Sequence, residues 1–155
     1  TRYGLRRYND SFAERNTNFF TLGPRVDYRA MEWLTVTLTY LYERGLADGH
    51  KDTQFADDVS YYLHMVSAGT EFRLNRQWDL GFTYIHRRKT FTSGLAGDTH
   101  VGRFDATHQG IAELRYHMSA AATVMLSFQY GKRTSTNALR DFQDSILSIG
   151  GQYRF

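Results

Sequence analysis

The sequence predicts an all-β protein, an antiparallel up-and-down β-barrel with about eight strands in this chain. Three observations carry that expectation. Apolar and polar side chains alternate with period two along most of the chain, short and long connections take turns between the alternating segments, and a hairpin-sized unit recurs. The 155 residues suffice for a single domain, 1–155.

The opening TRYGLRRYND is the weakest segment, because Leu5 and Tyr8 both claim its apolar face. The next sets Phe20, Leu22, Pro24, Val26 and Tyr28 against Thr21, Gly23, Arg25, Asp27 and Arg29. After a break near Met31, Leu34, Val36, Leu38, Tyr40 and Tyr42 alternate with Thr35, Thr37, Thr39 and Glu43. Val66, Ala68, Phe72 and Leu74 oppose Ser67, Gly69, Glu71 and Arg73. Trp78, Leu80, Phe82 and Tyr84 oppose Asp79, Gly81, Thr83 and Arg87. Ala112, Leu114 and Tyr116 oppose Glu113, Arg115 and His117, and Val124, Leu126, Phe128 and Tyr130 oppose Thr123, Ser127, Gln129 and Gly131. The last segment sets Leu147, Ile149, Gly151, Tyr153 and Phe155 against Ser148, Gly150, Gln152 and Arg154. In a strand, such alternation puts one set of side chains on each face of a sheet.

Short breaks fall near Met31, Asn75–Gln77 and Ser119, and long polar ones at about 9–18, 45–59, 91–106 and 133–143. The tripeptides DYR, EFR, ELR and QYR begin at 27, 71, 113 and 152, the first three just before a short turn, so the unit is a hairpin with its long loop. Consecutive hairpins of this kind form an antiparallel meander.

Composition excludes several chemistries. There is no cysteine, hence no disulfide, thiol or cysteine-ligated metal centre. The net charge is +3, and sixteen of the nineteen basic residues are arginine, dispersed along the chain in a way that does not fit a nucleic-acid surface. No apolar run reaches the ~18 residues of a membrane helix, but that test is blind to membrane strands. The chain opens on Thr1 with neither Met nor a signal-peptide pattern, so a removed signal or a further upstream segment is expected.

Alternation does not say which face is inside. A soluble lipocalin-like binding barrel would enclose the Leu, Val and Phe side chains. The inverted arrangement fits the residues better. The polar face mixes Gly, Thr and Ser with Arg, Asp and Glu and carries little lysine, as a confined lumen requires. Aromatics gather towards the strand ends: Tyr28, Trp33, Trp78 and Tyr116 near the short turns, and Tyr40, Tyr42, Tyr84, Phe128 and Tyr130 near the long loops. Two aromatic girdles are favoured at the two lipid–water interfaces.

The ending GGQYRF, with Phe155 terminal and Tyr153 two places earlier, continues the apolar set of Leu147 and Ile149. It resembles the C-terminal assembly signal of bacterial outer-membrane β-barrel proteins. That resemblance implies a bacterial outer-membrane location, long loops outside, termini and short turns in the periplasm, and recognition by the barrel-assembly machinery.

The candidate functional residues follow from that frame. Asp27, Arg29, Glu71, Arg73, Glu113, Arg115 and Arg154 fall on the polar face near the short turns, and are expected to form a ring of cross-lumen ion pairs or, in a wider pore, a selectivity ring. Arg87, Arg88 and Lys89, in HRRK at 86–89, together with Arg44, Arg103 and Arg133, form either a set of contacts for lipopolysaccharide phosphates or a solvated rim. The HMS at 117–119 resembles the His-x-Ser of lipid A deacylases, but the asparagine that follows there is replaced by Ala120, and the motif sits at a short turn. No catalytic, cofactor-binding or metal-binding residue is predicted, and His50, His100 and His108 read as solvated loop histidines.

The functional expectation is a non-enzymatic membrane anchor, scaffold or surface-binding barrel of the OmpA/OmpX type, its narrow lumen filled by paired charges. The alternative is the C-terminal wall segment of a larger porin-like or export channel, for a solute, a polysaccharide, or as the sheath of an electron-transfer partner. The expected partners are outer-membrane lipid and lipopolysaccharide, with a protein partner in the lumen or at the loops.

Overall fold

The computed structural model describes residues 1–50 and 57–154, and they form one antiparallel sheet. Its strands are β1 (Arg2–Arg6), β2 (Thr17–Leu22), β3 (Arg25–Met31), β4 (Leu34–Ala47), β5 (Tyr61–Arg73), β6 (Trp78–Phe91), β7 (Phe104–His117), β8 (Ala122–Ser135) and β9 (Phe142–Tyr153). The order is β1-β2-β4-β5-β6-β7-β8-β9, with β3 also paired to β4. Among the described residues no helix is long and apolar enough to cross a membrane, which says nothing of crossing by strands.

The eight expected strands become nine because the second is split. β2 pairs with the loop-end half of β4 and β3 with its turn-end half. Pro24 lies at the break and has no N–H for a ladder. Its carbonyl accepts the N–H of Tyr40 at 3.0 Å, so the two halves stay aligned. A side chain at Gly23 would collide with the Tyr40 carbonyl. Most of the other strands run longer than their apolar alternation, at 12 to 14 residues from β4 onward, and shorten the loops accordingly.

Three tight connections share one end of the sheet. In one, the Asn75 side-chain carbonyl accepts the N–H groups of Gln77 and Trp78; in another, the Ser119 hydroxyl accepts those of Ala121 and Ala122. These are the self-bonded turns that Asn and Ser favour. The repeat has a backbone signature: Arg73, His117 and Arg154 donate their N–H groups to the carbonyls of Trp33, Gln77 and Ala121.

The sheet's two faces differ in exposure. Large apolar side chains are the exposed ones, among them Leu38 (54%), Phe82 (47%) and Leu126 (44%). Among the described residues the buried hydrophobic ones are few: Phe19, Ala47, Tyr61 and Phe91, all at the loop end of the polar face. That face curves around a cavity of about 330 Å³ bounded by Arg25, Thr39, Ser67, Gly81, Ile111 and Arg115, which come from five strands. A lipocalin-like core would enclose Leu38 and Leu126, and they lie outside. The sheet itself does not close: among the described residues β1 and β9 each have a partner on one side only.

Candidate functional site

At the turn end, register rather than a single ring organises the charges. Glu71 pairs across the ladder with Gly81, and Gly81 with Glu113, so both acids occupy one rung with a glycine between them. Arg73, Asp79 and Arg115 occupy a second rung two residues away. Arg115 bridges the two, donating to Glu71 at 3.0 Å and also to Glu113 on its own strand. Arg73 lies 4.0 Å from Asp79, which is almost buried and also meets His117 Nε2 at 2.8 Å. The other nitrogen of that imidazole faces the Thr123 hydroxyl at 3.0 Å, so His117 is a structural link rather than the start of a His-x-Ser site.

The remaining expected ring members go elsewhere. Asp27 pairs with Arg25, two residues back on the same face, and accepts the Thr37 hydroxyl at 2.7 Å. Arg29 donates to the Glu32 carbonyl. Arg154 lines a small cavity with His117, Thr123 and Gln152. The residues missed from sequence are Arg25, Asp79 and His117. All three share the polar face by parity, and an acid and a base two residues apart on one strand face was a readable pair.

The loop end is built differently. Gly4, Phe19, Gly45, Tyr61 and Phe91 pair in succession along one rung. The rings of Phe19 and Tyr61 fill the space a side chain would need at Gly4 and Gly45. Cations lie over these rings. Arg2 and Arg6 stand 5.2 and 5.8 Å from the Phe19 centre, the Lys89 ammonium is 3.9 Å from Tyr61 and 4.4 Å from Phe91, and Arg103 is 4.6 Å from Phe91. Asp105, 5% exposed, takes both a forked contact from Arg103 and a 2.6 Å bond from Arg133, and accepts the Ser135 hydroxyl. Burial would raise its pKa, but the hydrogen bonds from Arg103 and Ser135 and the charge of Arg133 hold it below the ordinary carboxylate value. The Tyr61 hydroxyl donates to Glu43 at 2.5 Å; burial first, and that bond second, push its pKa up. The cleft over this row measures about 540 Å³.

The loops above are tied by a second cluster. His100 Nδ1 lies 2.9 Å from Asp98 and 3.1 Å from Asp57, and Arg15 holds Asp57 at 2.5 Å. These three His and Asp side chains are close enough to share a metal ion. The protein also holds these groups directly. Asp98 accepts the N–H groups of Asp58 and His100, and the Arg15 guanidinium beside Asp57 repels a cation. The arrangement works as a clamp between loops, and His100 is a bonded member of it rather than a solvated side chain.

The outward face carries the nine expected girdle aromatics. Trp33 stacks on Phe72 at 6.1 Å and Trp78 meets Tyr116 at 4.6 Å. Tyr40 and Tyr84 reach the Nδ1 atoms of His64 and His108 at 2.8 and 2.6 Å, a Tyr–His pair repeated two strands on. Tyr42 stacks on Tyr62 at 6.2 Å, Tyr130 lies next to Gly110, and Tyr28 and Phe128 sit on the rung of Val36 and Phe82. His108 therefore belongs to a strand, not a loop. The HRRK patch is divided by alternation: Arg88 is on the outward face over the Phe104 ring, while Arg87 and Lys89 belong to the polar face. Lys89 thus points away from the side assigned to lipopolysaccharide. Of the assembly-signal residues, Leu147, Ile149 and Tyr153 are exposed on the outward face of β9, and Phe155 lies outside the described residues. Comparison with protein-family models, with curated proteins and with solved structures gives no match.

Proposed function

We propose that this chain is part of the wall of a bacterial outer-membrane β-barrel wider than its own strands, with the apolar face against lipid and the polar face lining an aqueous interior. The observation that carries this reading is the pair of unmatched sheet edges. On one side the edge is stepped: five-residue β1 covers β2, while β3 is open beside it. On the other side β9 presents a straight edge of 12 residues. In hydrocarbon each unpaired backbone group costs several kcal/mol, so both edges need strand partners there. A stepped edge matches a straight one poorly along its length, and further strands between them would pair both.

Dimensions support the membrane reading. A 14-residue strand is about 45 Å long, or roughly 35 Å tall at a barrel tilt near 40°. That exceeds the ~25 Å apolar band of such barrels. The excess falls at the loop end, where the outward positions turn polar: His86, Arg88, His108 and Lys132.

Single-channel recording in a planar bilayer tests the proposal. Stable ohmic steps are expected from a wide, water-filled barrel. Silence from folded, inserted protein would instead support a self-closed, plugged barrel acting as an anchor or scaffold. That second reading is favoured by the small inner side chains Thr37, Gly69, Gly81 and Thr83, which suit a narrow lumen. Lipid, lipopolysaccharide and the assembly machinery are the partners of either form.

A further inference from the structure

We infer that the cleft at the loop end of the polar face binds a multiply charged oxyanion, a phosphate or sulfate group. Arg6, Lys89, Arg103 and Arg133 all line it, and they come from three strands and a loop. Asp105 is the counter-charge of Arg103 and Arg133, and its oxygens are already occupied by them and by Ser135; the other acid lining the cleft, Asp57, is held by Arg15. Among the described residues Lys89 makes no ion pair with a carboxylate; aromatic faces hold it instead. A ring face steadies a cation without cancelling its charge. A positive excess and cationic donors brought together from three strands and a loop describe a receptor for an anion with several acceptor oxygens.

A neutral solute leaves the excess charge uncompensated, and a cation is repelled. The inference concerns the inner face of the folded sheet and does not depend on how many strands complete the barrel. Its failure is therefore separable from failure of the pore reading.

The test is calorimetric titration of the full protein, folded in a non-ionic, phosphate-free detergent, with sodium sulfate and with inorganic phosphate. A third arm uses phosphatidylcholine vesicles with and without lipid A. Saturable binding of the free anions is expected, weakened about tenfold by Lys89→Gln and restored by Lys89→Arg. Arg6→Gln, on an exposed edge strand, is the second variant should Lys89→Gln fail to fold. Binding confined to the lipid A vesicles and weakened by the same substitutions would keep the oxyanion chemistry and make a lipid headgroup its source. No saturable binding in any arm, or affinities indifferent to both substitutions, would overturn the inference.

Discussion

The Lys89 ammonium rests 3.9 Å from the centre of the Tyr61 ring, on the polar side of the sheet and beyond the outward Tyr40 and Tyr84 level. Burial, then the charge of Arg6, with Arg103 and Arg133 behind it and only Asp105 opposing, push its pKa down to about 8. Tyr61, which faces it from β5, is itself bonded to Glu43 of β4. The unfolded chain holds this proton up to the ordinary lysine range, so charged Lys89 weakens the fold below about pH 8. Stability returns as pH rises from there towards the unfolded value. Sulfate stays a dianion over this range. Its affinity is therefore expected to fall as pH is raised from about 7 to about 9, and Lys89→Arg to flatten that profile; calorimetry at several pH values checks both.

Arg115 keeps Glu71 and Glu113 apart in charge across the Gly81 rung. Arg115→Ala leaves two carboxylates facing each other, and the expected loss is about 1–2 kcal/mol, moderated because the groups are partly solvated. Adding Glu71→Gln should recover part of it. The shift of the denaturant midpoint in detergent measures both.

The loop clamp responds to acid. Burial of Asp98 opposes ionisation, but bonds from Ser93, from the backbone of His100 and Asp58 and from the His100 ring outweigh it and hold the pKa low. A carboxylate depressed in this way stabilises the fold above its unfolded pKa, and that contribution disappears as pH falls through the folded value. Asp98→Ala is expected to open the loops at neutral pH, seen as faster limited proteolysis near residues 57–60 and 92–103, with the strands still protected.

On β8 the two faces should tolerate opposite changes. Leu126→Arg puts a cation on the outward face and is expected to cost ~2–4 kcal/mol of folding into lipid vesicles. Ser127→Arg puts the cation on the inner face, beside Glu113 on the neighbouring strand, and is expected to be nearly neutral. Guanidinium titration in vesicles compares them.

The meander, the short turns and the sorting of residues onto two faces were legible because period-two alternation is a local property. Leu126 and Ser127 declare their faces by adjacency alone. The split at Gly23–Pro24 carried a signal in the proline, which the continuing alternation from Leu22 to Val26 concealed. The loop-end tier was legible only as a basic group that joins Lys89 with Arg103 and Arg133. Phe19, Tyr61, Lys89 and Arg103 meet only through the register of several strands, and sequence gives no sign that a lysine will sit on a tyrosine ring. The charge ring was half legible: parity put Glu71, Glu113 and Arg115 on one face, but the choice of Asp79 for Arg73 depends on the β5–β6 register.

The central claim is that the apolar face meets lipid, and cysteine scanning of β8 tests it most directly, since the chain has no cysteine of its own. Single cysteines at positions 123 to 130 of the membrane-inserted protein would carry nitroxide labels, and their collision rates with oxygen and with a water-soluble nickel chelate would be recorded. Strict alternation is predicted: oxygen-rich at Val124, Leu126, Phe128 and Tyr130, and nickel-accessible at Thr123, Met125, Ser127 and Gln129. Labels at Leu126 and Phe128 shielded from both reagents, or open to nickel, would contradict the account.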